Sequence, residues 1–230
     1  MIGDNYMWFV DPANDDDLPK GETQDDWFNS KSAFEVLNLK FGMTGAGKET
    51  VETSEQSGGG GSARGPSGGG GSARGASGFS APAAAKSPGG GASTAGGKGK
   101  ADFEALTISK YVDLASVKFY RACSMGLEFD TAMLAIRKAG GSHLLYMQYI
   151  LRLVRVTGVN WEGGSGSEPA KENVTFTFKA LGFKYVQQTP KGLAGAKLQW
   201  LFSIAKGGST NTLDVGNGRP APPFPPDETD

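Results

Sequence analysis

The sequence predicts a mainly β, antiparallel domain, built as a small barrel or sandwich with one short α-helix, on three observations. Several segments alternate apolar and polar residues with the period of two that is typical of strands. Many of these segments follow one another through short turns, which favours antiparallel pairing. By contrast, residues 57–100 consist almost entirely of Gly, Ser, Ala, Arg, Lys and Pro, with Phe79 as their one large apolar side chain. This stretch, which begins with a ten-residue repeat at 57–76, is predicted to be a flexible, disordered loop.

The part of the chain before this loop holds two predicted strands. Residues 6–10 form a short apolar strand that Asp11 and Pro12 end, and residues 34–41 alternate apolar and polar side chains. The acidic residues between them, 11–26, lack the central glycine and the distal glutamate of an EF-hand. They therefore predict a solvated loop rather than a calcium site.

Beyond the long loop, local signals predict one helix and several strands. Asp113 is a predicted N-cap, and Gly126 is the predicted stop of a helix over residues 114–125. One face of this helix carries Leu114, Val117 and Tyr120. Strands are predicted at residues 103–108, 132–136, 144–156, 174–178, 181–185 and 198–204.

Three of these later segments carry additional information. Residues 144–156 are apolar on both faces in their first half, so we expect protein from this chain or from another to cover both sides. Residues 161–167 predict a turn. The apolar residues of 174–178 and 181–185 have opposite parity, which predicts a bulge near residues 180–182.

No motif for catalysis, cofactor binding or metal binding is complete in this sequence. Residues 42–49 almost match the phosphate-binding loop G-x-x-x-x-G-K-[ST], but Glu49 stands where a hydroxyl is needed and no predicted helix follows. Cys123, the single cysteine, lies among apolar residues and is interpreted as a structural thiol. His143, the single histidine, has no partner for a zinc site or a catalytic triad. We therefore expect no enzyme activity, no cofactor and no metal.

Charge is strongly segregated along the chain, although the formal net charge is −1. Residues 1–26 carry eight acidic residues against Lys20, whereas residues 57–100 carry five basic residues and no acidic ones. Residues 101–206 carry thirteen basic and eight acidic residues. This pattern favours polar surfaces that meet each other, with nucleic-acid binding by the basic body as a lower alternative.

The sequence contains no pattern for Sec-dependent export or for a membrane span. The N-terminus lacks a basic region followed by an apolar core. The most apolar run, residues 144–156, is too short to cross a bilayer and contains Gln148, Arg152 and Arg155. We expect the protein to be made in the cytoplasm and, if exported, to leave by another machine.

From residue 101 onward the sequence resembles the Hcp (haemolysin-coregulated protein) family, the inner-tube proteins of bacterial type VI secretion. The resemblance rests on stretches that occur in the family's order, at residues 106–113, 122–124, 136–141, 163–168 and 172–175 and in the strand around Trp200. Upstream, residues 34–42 match a family strand, and residues 6–10 match another more weakly.

The resemblance implies a small antiparallel β-barrel of two sheets with one helix beside it. It also implies hexameric rings that stack into a tube. In the family a contracting sheath propels this tube, which bears a VgrG-type spike and carries effectors out of the cell. The residues that match the family's motifs are expected to serve the fold or the assembly. They are Lys110, Tyr111, Asp113, Arg137, Lys138, Gly140, Gly141, Glu172 and Asn173.

The resemblance further implies the domain organisation. We expect a single domain over residues 1–206, with residues 53–100 as a low-complexity insertion in one of its loops, and an acidic, Pro-rich tail over residues 207–230. Family members usually have a short loop at this position. An alternative reading is therefore a specialised relative that acts as an effector adaptor or carrier through its insertion or its tail.

Overall fold

The computed structural model describes residues 4–45, 101–138, 144–163 and 169–226. The predictions for the loop at 53–100, for Gly140 and Gly141 and for His143 lie outside these residues. Within them the strands are β1 (Asp4–Val10), β2 (Phe34–Glu35), β3 (Asn38–Lys40), β4 (Met43–Thr44), β5 (Asp102–Phe103), β6 (Leu106–Tyr111), β7 (Glu128–Arg137), β8 (Leu145–Glu162), β9 (Lys171–Thr177), β10 (Ala180–Gln188), β11 (Ala194–Ser203) and β12 (Gly208–Ser209). The helices are α1 (Asp26–Asn29) and α2 (Leu114–Met125), and residues Asp15–Asp17 form a 3-10 turn.

The strands pair antiparallel and close into a barrel. β1 pairs with β2 on one side and β7 on the other, and β7 pairs with β8. β8 pairs with β9, β9 with β6, and β6 with β3, which follows β2 directly in the chain. The described strands form a ten-stranded sheet and a separate two-stranded sheet, β4–β5. The predicted class, a mainly β barrel of two sheets with a short helix, is confirmed.

The chain between β2 and β3 closes the barrel by changing partners. The Val36 amide donates to the Asn5 carbonyl on β1 at 2.8 Å, and the next amide, that of Leu37, donates to the Ser109 carbonyl on β6 at 2.8 Å. The single strand predicted at residues 34–41 is therefore two short strands. The one predicted at 103–108 likewise divides into β5 and β6.

Aromatic and aliphatic side chains fill the barrel interior. The ring of Phe9 lies 4.8 Å from that of Phe129 and 5.8 Å from that of Phe119, which α2 contributes to the same core. Strand β8 alternates between this interior, which receives Leu151, and the opposite face, which carries Ile150. Burial of this apolar surface is the main stabilising contribution to the fold.

A second apolar layer covers the outer face of β1, β7, β8 and β10. Its buried members are Tyr6, Trp8, Phe28, Ala33, Met133, Ala135, Leu145, Ile150, Ala180 and Leu213. They come from the sheet, from the segment around α1 and from the C-terminal tail. Both faces of β8 are thus covered by this chain itself in its first half, as its doubly apolar pattern predicts.

Helix α2 has the predicted bounds because local capping signals fix both of its ends. The Asp113 side chain accepts from the Ala115 amide at 2.9 Å, and Gly126 ends the helix with φ 66°, a left-handed conformation that glycine adopts readily. Leu114, Val117 and Tyr120 do share a face, but this face is exposed. The buried face carries Ala115, Phe119 and Ala122.

Two predicted irregularities are corrected. In the turn predicted at residues 161–167, Trp161 and Glu162 instead pair with Glu172 and Lys171 as the last residues of β8, and residues 164–167 lie outside the described residues. The parity change near residue 180 is not a bulge. β9 ends at Thr177, and β10 begins at Ala180 as a separate strand that pairs with the first half of β8. In the part of the chain that the structure describes, no helix has the length and apolar character needed to cross a membrane.

Candidate functional site: buried ion pairs and an exposed sheet edge

Three of the predicted residues, Lys110, Asp113 and Glu172, meet in one buried cluster. The Lys110 ammonium lies 2.6 Å from the Asp113 carboxylate and 3.1 Å from that of Glu172. It also donates to the Tyr111 carbonyl at 2.6 Å and to the Ser116 hydroxyl at 3.3 Å. Lys110 is 1% exposed and Glu172 is fully buried. The Lys110 ammonium is tolerated at this depth because protein groups supply the polar contacts that water would otherwise make.

The same cluster holds the first turn of α2 against the barrel. Ser116 donates to Glu172 at 2.6 Å and accepts from the Asp113 amide at 3.0 Å. Asp113 and Ser116 thereby form a capping box, and Glu172 ties that box to β9. The cluster connects β6, β9 and α2, and its role is to stabilise the packing of these elements.

Tyr111 and Asn173 lie next to this cluster but outside it. Tyr111 is 40% exposed, and the Lys171 ammonium stands 5.9 Å from the centre of its ring. Asn173 accepts from the Ser109 hydroxyl and donates to Glu162 at 2.9 Å, so it links three strands on the outer surface. These contacts stabilise strand pairing.

Arg137 forms a separate cluster near the start of β1. Its guanidinium donates to Asp25 at 2.6 Å, to Asp4 at 3.1 Å and to the Tyr6 hydroxyl at 3.1 Å. Burial by itself raises the pKa of Asp25, but hydrogen bonds from Arg137 and from the Phe28 amide outweigh it, and the pKa of this carboxyl lies below its usual value. Burial, opposed by Arg137, raises the pKa of Tyr6 to about 12. The cluster anchors the segment around α1 to the barrel.

Lys138 lies at a third place, beside the hairpin that joins β10 to β11. Its ammonium donates to the Gln188 side chain at 3.2 Å and stands 5.4 Å from the centre of the Tyr146 ring. Tyr146 in turn makes an edge contact with Tyr185. The predicted residues that the structure describes are therefore distributed over separate structural clusters and are not assembled into one site.

A fourth cluster, around Arg152, escaped sequence reasoning. Arg152 is fully buried, and its guanidinium lies 3.3 Å from Asp130 and donates to the Leu213 and Arg219 carbonyls at 3.4 and 3.1 Å. The sequence signal is an arginine in the middle of an otherwise apolar strand, which implies a buried counter-charge. The position of Arg152 in the sequence does not reveal that the C-terminal tail supplies the two carbonyls to which the guanidinium donates.

Two groups of exposed apolar side chains among the described residues are candidate contact surfaces. Strand β11 pairs with β10 along its length, whereas among the described strands β12 covers it at Phe202 and Ser203 only. Next to these residues the Leu201 carbonyl accepts from the Thr210 amide at 3.0 Å. Over residues 194–200 no described strand covers this edge, and Leu198 on it is 74% exposed. The outer face of α2 is the second surface, formed by Leu114, Val117, Tyr120 and Met125.

Within the described residues there is no group of three or more metal-ligating side chains. Cys123 is a free thiol that is half-buried against the barrel core. The buried ion pairs described above can stabilise the fold, and the exposed apolar surfaces can contact another protein.

Comparison with known proteins gives consistent similarities. Residues 77–185 match the family model described as type VI secretion system effector, Hcp. Protein hcp1 of Pseudomonas aeruginosa is 36% identical over 94 residues, which are 40% of this chain and 58% of that protein. The chain thus matches less than two thirds of the length of this curated relative.

Solved structures share the fold. A type six secretion system protein has a TM-score of 0.63 and 23% identity, over 90% of this chain and 99% of that one. Hcp1 from Salmonella typhimurium has a TM-score of 0.57 and 18% identity, over 91% of this chain and all of that one. At these identities the similarity establishes the architecture.

Proposed function

Because the chain belongs to the Hcp family of type VI secretion proteins, we propose that it is a structural subunit of a secretion tube. Six copies close into a ring, the rings stack, and the tube carries effectors. The role is assembly and transport, without a catalytic step. The match to the family model supports the proposal, and one surface of the subunit supports it independently.

The open edge of β11 is the observation that carries this proposal. Residues 194–200 have no strand partner on one side among the described strands, next to the exposed side chains of Leu193 and Leu198. Leu198 lies opposite Tyr185, which is also partly exposed. An uncovered strand edge is a template for pairing with another chain. On this edge the exposed Leu198 stands between the polar side chains of Lys197 and Gln199.

A ring needs two different surfaces on each subunit, since its interface is heterologous. The edge of β11 is one, and the exposed face of α2 is a different one, where Val117 is 71% exposed and Leu114 is 68% exposed. Contact with neighbouring copies would remove both from water, which is favourable in proportion to the apolar area buried.

Further partners follow from membership of the family. They are a contractile sheath, a VgrG-type spike and effector proteins, and the tube subunit leaves the cell through the type VI apparatus. Nucleic acid and the membrane have no part in this proposal.

Negative-stain electron microscopy and sedimentation velocity of the purified full chain test the proposal. We expect rings with sixfold symmetry. Leu198→Glu places a negative charge on this edge and is expected to shift the chain to monomers. Gln24→Glu adds the same charge at an exposed residue outside both proposed surfaces and is expected to retain rings. Monomers of the unmodified chain at all accessible concentrations would overturn the proposal.

A further inference from the structure

The C-terminal tail is seated on the outer face of β8 and β10 rather than projecting from the domain. Leu213 is 3% exposed and belongs to the outer apolar layer, and Val215, Ala221 and Phe224 pack against the same layer. The anchors Leu213 and Phe224 lie at opposite ends of the segment. The stretch between them carries few buried side chains.

Gly182 provides the space for both anchors. A Cβ atom at this position would lie 2.9 Å from the Leu213 side chain, 3.1 Å from the Phe224 ring and 3.2 Å from Leu201. Distances this short require the neighbours to move, because carbon atoms in contact stand about 3.5–4.0 Å apart. The sheet therefore has a groove at Gly182 that a larger residue would fill.

Polar side chains of the body fix the backbone of the tail in this groove. Arg152 donates to the carbonyls of Leu213 and Arg219, and the Asn217 amide donates to Asp130 at 2.7 Å. Arg219 pairs with Asp11 at 2.8 Å. Backbone carbonyls bound by a buried guanidinium, with side-chain pockets at intervals, are the features by which proteins hold extended peptides.

The tail does not fill its seat completely. A cleft of about 500 Å³ remains between residues 219–223 of the tail and the body at Val10, Pro12, Ala13 and Asp130. Residues 210–212, which join the tail to the body, are not buried. A segment that is held at two ends, underpacked in the middle and joined by an exposed linker has the properties of a bound ligand.

We propose that the outer face of β8 and β10 is a peptide-binding groove, and that residues 213–225 of this chain are its resident, displaceable ligand. The class of ligand is a proline-containing peptide with a leucine at one end, a bend at residues 216–218 and a phenylalanine at the other end. Arg152 donates to the backbone carbonyls of this peptide, and Asp130 accepts from its asparagine side chain. Gly182 leaves the space that its two apolar anchors occupy. This groove is independent of ring formation.

The test uses the folded full chain, with a specific protease site inserted between Asn211 and Thr212. After cleavage, the retention of the released segment is measured by size exclusion and mass spectrometry. The affinity is measured by fluorescence anisotropy with a labelled peptide of residues 212–226. We expect retention, exchange with the labelled peptide, and a loss of affinity of about tenfold for the Asn217→Ala peptide, as for one lost hydrogen bond.

Variants of the barrel distinguish specific binding in the groove from non-specific binding of the peptide. Gly182→Val fills the groove and is expected to abolish peptide binding, whereas Gly208→Val, whose side chain would enter open space, is expected to leave it unchanged. Near-UV circular dichroism reports whether the cut body stays folded. A folded body that releases the segment and does not rebind it overturns the proposal, as does equal binding of a scrambled peptide. Unfolding on cleavage also overturns it, because the tail would then be part of the core.

Discussion

Lys110 and Glu172 lie opposite each other on β6 and β9, and their charged groups are 3.1 Å apart in a site where Lys110 is 1% exposed and Glu172 is fully buried. One carboxylate oxygen of Glu172 accepts from both Lys110 and Ser116, while the other has no hydrogen-bond partner among the described residues. The pair joins two barrel strands to the first turn of α2. Its energetic role is thus to hold these elements together, at the cost of removing two charges from water.

We expect removal of either charge alone to be strongly destabilising. Lys110→Met leaves the carboxylate buried without its counter-charge, and Glu172→Gln leaves the ammonium with Asp113 alone as an ionic partner. Each change should lower the free energy of unfolding by about 3–5 kcal/mol. Urea denaturation followed by circular dichroism measures it.

The double variant Lys110→Met, Glu172→Gln is the informative control for this prediction. It should cost clearly less than the sum of the two single changes, because the fully buried Glu172 position then carries no charge. Asp113 also loses Lys110, but its side chain is partly exposed and keeps the hydrogen bond from the Ala115 amide. Lys191→Met removes a charge from an exposed position and should change the unfolding free energy by less than about 0.5 kcal/mol. Additive costs in the double variant would contradict the role assigned to the pair.

The pair between Arg137 and Asp25 predicts a dependence of stability on pH. Since the folded-state pKa of Asp25 is below that of an unfolded aspartate, about 3.9, its contribution is fully present above that pH. It is lost as the pH falls through the folded-state pKa. Asp25→Asn should therefore be less stable than the unmodified chain at pH 7, and the two unfolding free energies should converge below pH 4. Parallel curves over that range would show that the ion pair contributes nothing.

The elements that the sequence predicts correctly are those fixed by local interactions. Helix α2 begins and ends where predicted because Asp113 and Gly126 determine its ends within a few residues. The orientation of the helix depends on partners elsewhere. Small side chains at Ala115 and Ala122 let it approach the barrel, and Val117 is left outside although it is larger.

Pairing across the sheet accounts for what sequence reasoning missed. Alternation at residues 34–41 is the same whether the strand keeps one partner or moves from β1 to β6, so the pattern cannot reveal the change at Val36 and Leu37. Likewise, Arg152 marks a buried charge, but its acceptors at Leu213 and Arg219 are more than sixty residues away. The candidate surfaces depend on which edges remain uncovered, and this follows from the closed topology.

The acidic N-terminal loop is predicted to be held on α2 by charge. Asp17 lies 2.8 Å from Lys118 and 2.7 Å from Arg121, and the hydrogen bond from Lys118 lowers the pKa of Asp17. Asp17→Asn should speed amide hydrogen exchange in residues 12–20, with little effect on the barrel. Because these charges are exposed, the difference should shrink in 1 M salt, where the screening length is about 3 Å. Asp16→Asn, which leaves both ion pairs in place, is the matched control, and equal exchange in the two variants would contradict the prediction.

Deletion of residues 57–98 is expected to leave the subunit folded and able to form rings. The chain leaves the domain at β4 and returns at β5, and these strands pair directly, with Met43 opposite Phe103 and Thr44 opposite Asp102. Phe103 is fixed in turn by the Phe202 ring at 4.9 Å.

Since β4 and β5 already bring Thr44 and Asp102 together, a shorter connection between these strands closes without strain. The loss of loop-closure entropy should stabilise the fold by about 1 kcal/mol. Thermal denaturation and electron microscopy of the deleted chain measure both properties. Lost rings would make the insertion part of the assembly, whereas normal rings with lost export of a co-secreted protein would favour the adaptor or carrier role over that of a plain tube subunit.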